Sequence, residues 1–141
     1  RQGGYRVPRI VVDLVGARPI DLSIVDGIES IKGGEGEWNR GWAYVKPDLL
    51  LAGKNPVCVD AVSTALMGGD PQAERGASFF GDCGNMILLA QAAGIGTGDL
   101  ARIELPGLKI KDAMFDYGPR PMAPQRGGGP PRPGQQPPAR G

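Results

Sequence analysis

The stretch from Pro19 to Trp38, PIDLSIVDGIESIKGGEGEW, limits most strongly what this chain can fold into. Ile20, Leu22, Ile24 and Val25 make a short apolar run ending at Asp26-Gly27, and Pro19 withholds a ladder donor at its start. A buried strand over 20–26 is therefore predicted. Four carboxylates (Asp26, Glu29, Glu35, Glu37) and four glycines (Gly27, Gly33, Gly34, Gly36) then fall within twelve residues. Such glycines admit positive φ and let backbone N–H groups approach a bound group closely. Carboxylates at a strand's C-terminal end and on the loop after it occupy the crevice in which open α/β sheets bind ligands. The plain alternative is an Asp-Gly turn followed by a solvated acidic surface.

The end of the chain differs in kind. Residues 118–141 contain eight Pro, six Gly and four Arg and no acidic residue. Its PPRP and QQPP runs favour polyproline II, suited to docking on aromatic grooves, or else form a disordered, solvated extension. That leaves 1–117 for one α/β domain with a modest core. Four of the sixteen basic residues and none of the fifteen acidic ones lie in the tail, so the folded part is net −3. Nucleic acid is thus not expected as its partner.

There is no histidine, which removes Ser-His-Asp and Cys-His pairs, imidazole proton transfer and the commonest nitrogen ligand for zinc or copper. With only Cys58 and Cys83, a four-cysteine site cannot be built within one chain, and neither an iron–sulfur cluster nor haem is expected. A buried free thiol at Cys58 is favoured over a disulfide. Chemistry would fall to carboxylates, lysine, hydroxyls, amides or backbone. No run is long enough to span a bilayer. The chain begins at Arg1 rather than Met, so it is expected to be a processed product or a piece of something longer.

In chain order, Arg1 to Arg6 reads as a frayed lead-in; Ile10, Val11, Leu14 and Val15, between Pro8 and Gly16, recur at the spacing of a short helix, with a strand as the competing reading because of their β-branching. Beyond the acidic loop, Trp38, Trp42 and Tyr44 either cover the core or line a pocket, and Trp42, Tyr44 and Lys46 alternate as in an edge strand. DLLLA, 48–52, reads as a second buried strand. Asn55 as N-cap, Pro56 at the first helical position, the stripe Cys58, Ala61, Val62, Ala65 and Leu66, and the stop at Gly68-Gly69 specify the clearest helix. Asp60 near its first turn is explained by the helix dipole, or else it faces the crevice holding Asp26. Residues 72–81 carry no clear assignment. A helix follows from Met86 to Ala93, capped by Asp82 or Asn85, then a loop GIGTGD, a last strand at 103–105, and a segment 108–117 packing through Ile110, Met114 and Phe115.

Four ordered blocks, VDLVGARPIDLSIVDGI, IKGGEGEW, LLLAGKNPVCVDAVSTALMGGDP and GDCGNMILLAQAAGIGTGDLARIEL, resemble the C-terminal half of the domain-of-unknown-function family 362 over about residues 8–110. The GGEG-W block is similar to a branch exported through a twin-arginine signal. Members are longer, with an N-terminal half preceding these blocks, and some carry ferredoxin-type cluster motifs, absent here. The resemblance implies an α/β fold, an exported location (periplasmic or extracellular) and no settled activity. It directs attention to Asp26, Glu35, Asp60 and Asn85. Two departures stand out: Lys32 occupies a position where other branches tend to be acidic and could neutralise Glu29 or Glu35, and Cys83 and Gly84 interrupt the Asp-Asn pair.

The expected architecture is therefore a small α/β sheet of short, mostly parallel strands flanked by helices, with an extended Pro/Gly-rich C-terminal tail. Two functions follow. In one, Asp26, Glu35 and Asp60 converge on a hard cation such as Mg²⁺ or Ca²⁺, or on a small polar ligand, assisted by the amides of Gly33, Gly34 and Gly36 and by Asn85. In the other, the chain is an exported structural or interaction module acting through its tail. Partners under either reading are the N-terminal half of the family domain or another protein chain.

Overall fold

The computed structural model describes residues 3–33 and 42–117. Helix α1 spans Gly3–Ala17, so the stretch through Arg6 is helical rather than a frayed lead-in. Pro8 lies inside it and forgoes one backbone bond, but its ring is buried one turn before the buried Val12. Contact along the α1–α3 seam holds the helix, which then propagates toward its N-terminus.

Four strands follow: β1 (Ser23–Gly27), β2 (Ser30–Lys32), β3 (Ala43–Val45) and β4 (Leu49–Gly53). They form two small antiparallel sheets, β1 with β4 and β2 with β3, which corrects the expectation of mostly parallel strands. Parallel neighbours need a long crossover, usually a helix, whereas the chain between β1 and β4 folds back through β2 and β3. In register, Gly27 faces Leu49 and Ser30 faces Val45, so the two residues Ile28 and Glu29 lie opposite the three residues Lys46 to Asp48. The two ladders are thus one antiparallel ribbon with an extra residue on its returning side, a bulge. Asp48 takes the left-handed conformation there (φ 54°), and its N–H donates to the Ile28 carbonyl at 3.3 Å. Residues 34–41, which hold most of the acidic loop and Trp38, lie outside the described residues, as does the tail 118–141.

Helix α2 (Pro56–Leu66) forms as its sequence predicts: Asn55 Oδ1 accepts from Cys58 N at 3.1 Å, Pro56 opens it, and the chain leaves through Gly68 at φ 82°. Its second anchor is the Asn55 amide, which donates to the Ile95 carbonyl at 2.8 Å. One side of α2 packs on α1 and on α3 (Met86–Ala92), giving a core of Val12, Val57, Ala61, Ala73, Phe80, Ile87 and Ala90. The opposite side meets the ribbon at Gly53, where a Cβ would come within 2.7 Å of Val59 Cγ2. Within 72–81 the only regular element is a 3-10 turn, Ser78–Phe80, that delivers Phe80 to the core.

No strand forms at 103–105. Asp99 instead caps a 3-10 turn, Leu100–Arg102, by accepting from Ala101 N at 3.0 Å, and the chain beyond finds no ladder partner among the described residues. A short helix α4 (Ile110–Ala113) leads to Phe115, whose N–H donates to the Leu66 carbonyl at 2.9 Å. Phe115 is half-buried, but Met114 is 57 % exposed and does not pack as expected. Among the described residues no helix is long and apolar enough to cross a membrane.

Candidate functional site

Of the acidic residues singled out by sequence, Glu35 lies outside the described residues, and Asp26 and Asp60 do not share one hollow. Asp26 stands on β1 opposite Leu50, and its Oδ1 accepts from Ile28 N at 3.0 Å, a local side-chain-to-backbone bond where the strand ends; Asp26 and Gly27 are paired strand residues, and the chain bends after them. Side chains alternate across a strand, and Val25 and Gly27 face α2, so Asp26 leaves from the outer face. Asp60 belongs to the second turn of α2, beyond the strongest reach of the dipole, and lines a groove between α1, α2 and α3 with Val11, Val57, Met86 and Ile87. It therefore departs from the side of α2 turned away from the ribbon. Asp60 is exposed overall, yet these apolar neighbours crowd its carboxyl, and that burial raises its pKa above the ordinary 3.8.

Asn85 is 4 % exposed and structurally committed. Its Oδ1 caps α3 through Ile87 N at 2.8 Å, and its amide donates to the Pro71 and Ala73 carbonyls, each at 2.9 Å. Gly33 ends β2 at φ 89°, the left-handed conformation foreseen for this loop. Gly34, Glu35 and Gly36 lie outside the described residues. Glu29 pairs with Lys46 rather than Lys32, at 4.0 Å, and Lys46 also reaches Asp48 at 3.9 Å. These contacts are solvent-exposed and contribute about 0–1 kcal/mol. No group of three or more carboxylate or thiol side chains among the described residues could hold a metal ion. Cys58 and Cys83 are free and half-buried.

Two features escape a linear reading. The first is the ribbon's bare outer face. Leu50 (63 % exposed) and Ile24 (66 %) stand there beside Asp26, and on β3 the exposed Tyr44 meets Trp42 edge to face at 5.0 Å.

The second is a cavity of about 70 Å³ between α2 and the inner face of the ribbon. Val25, Leu49 and Leu51 form one wall, Ser63, Leu66 and Met67 another, and Ala113, Phe115 and Tyr117 the third. Phe115 and Tyr117 meet edge to face at 5.2 Å. Ser63 Oγ is buried without a hydrogen-bond partner among the described residues, the one such side-chain atom there. Thr64 beside it behaves normally, its hydroxyl donating to the Asp60 carbonyl one turn back at 2.8 Å. The serine between buried Val62 and Thr64 was the available signal; it gains meaning only once the ribbon and the 113–117 segment close over it.

Comparison with known proteins returns no matching family model, no matching curated protein and no matching solved structure.

Proposed function

We propose that the folded part is an assembly module whose outer ribbon face is covered by a further part of a larger protein. The observation that carries this reading is the outer ribbon face: a two-stranded sheet covered by α2 on one side and presenting Ile24 and Leu50 to solvent on the other. Two strands alone make a marginal sheet, and edges left unpaired among the described residues, with Ile24 and Leu50 exposed beside Asp26, are an aggregation liability unless something pairs or covers them. The four sequence blocks that resemble the C-terminal half of a longer family domain support the same reading, with an N-terminal half as the natural cover and an exported location as its setting. The acidic-site reading has less support, since Asp26 Oδ1 already accepts from Ile28 N and Asp60 opens into a different groove.

The test compares the protein in its native cells with the purified chain. In a Leu50→Cys variant, the new thiol is labelled by a maleimide in both states and quantified by peptide mass spectrometry. Strong protection in the cell and rapid labelling after purification are expected. Equal labelling in both states refutes the assembly reading.

A further inference from the structure

We infer that the cavity between α2 and the ribbon is a binding site for a small neutral molecule with a compact apolar body and one hydroxyl or carbonyl oxygen. Its walls are aliphatic and aromatic, and no charged side chain lines it, so an ionic ligand would lose its hydration there without compensation. Two hydroxyls interrupt that apolar lining, those of Tyr117 and Ser63, and the Ser63 Oγ is buried with a hydrogen to give and lone pairs to receive. A buried hydroxyl with no partner costs stability, and alanine at the same helical position would avoid the cost. The arrangement makes physical sense if a bound oxygen completes the hydroxyl's hydrogen bonding. Ser63 then fixes the ligand's orientation, while Val25, Leu51 and Phe115 receive its apolar body.

The size of the cavity limits the class. About 70 Å³ is roughly half of an engineered, enclosed cavity of ~150 Å³ that takes up benzene, so the part of a ligand that this half-open cleft encloses is a branched chain of a few carbons or the edge of a ring. The bond from Phe115 N to the Leu66 carbonyl ties the 113–117 wall to the end of α2. This inference rests on the inner face of the ribbon and is independent of what covers the outer one.

The probe is isobutanol, titrated into the ¹⁵N-labelled full chain while amide shifts are followed. Saturable shifts confined to wall residues such as Gly27, Leu51, Ser63 and Phe115 are expected. Loss of one hydrogen bond in Ser63→Ala should weaken binding about 3–10-fold. Ala113→Leu, which fills the cavity from α4, should abolish it while the rest of the spectrum keeps its dispersion. Absence of saturable shifts in the wild type overturns the inference, as does binding that neither variant alters.

Discussion

Replacing Ser63 by alanine should make this protein more stable, although the change deletes a polar group from a helix whose neighbours are well packed. Ser63 Oγ is buried and forms no hydrogen bond among the described residues, so the folded chain carries the desolvation cost of a hydroxyl that water satisfies in the unfolded chain. That cost is about 1–3 kcal/mol, and alanine adds a few tenths through its higher helix propensity. Against this stands the loss of one oxygen's packing, which is small because the cavity of about 70 Å³ already adjoins the site. The net expectation is a gain of about 1–2 kcal/mol, which raises Tm by roughly 4–10 °C for a domain of this size. Scanning calorimetry and urea unfolding of ligand-free protein measure it. A Ser63→Ala variant less stable than wild type by 1 kcal/mol or more would show that the hydroxyl is already paired, and the reasoning would fall with it. A stabilised variant that has also lost isobutanol binding would display the familiar exchange of stability for a functional polar group.

Three further outcomes follow from the same structure. Asn85→Ala removes the cap of α3 and strands the buried Pro71 and Ala73 carbonyls, so urea unfolding should show a loss of about 3–5 kcal/mol. Asp60 has a folded-state pKa above its unfolded 3.8, so with rising pH the unfolded chain gives up this proton first and the group's contribution turns unfavourable as pH climbs through the folded value. Asp60→Asn should therefore gain stability over wild type at pH 7 and show little difference at pH 3, read from paired urea curves. Gly98→Ala would place a Cβ 2.5 Å from Ile87 Cγ2 and 2.6 Å from Gln72 Nε2, so thermal melts should reveal a loss of about 1–3 kcal/mol.

What the sequence determined by itself was local. Asn55, Pro56 and the paired glycines at 68–69 define α2 because capping, a preset φ and freedom at positive φ are properties of single residues and their immediate neighbours. Asn85 before an apolar stripe likewise announces α3. The runs at 20–26 and 48–52 show that two strands exist, within a residue or a few of their true bounds. Their direction was not legible, because pairing depends on the path of the chain between them. That path includes β2, a three-residue strand, Ser-Ile-Lys, too short to display an alternation. Once the ribbon runs antiparallel, the rest changes. Ile24 and Leu50 look like core in a parallel sheet covered on both faces, but α2 covers only one face of this ribbon, so both side chains are bare. Asp26 and Asp60 look convergent on a line of text, yet strand alternation and helical rotation send them to opposite sides of α2. Ser63 looks like an ordinary helical serine until β1, β4 and the 113–117 segment close over it. Caps and turns are settled within a few residues, whereas faces, cavities and meeting points are settled by which distant segments pack together, and only the tertiary structure decides that.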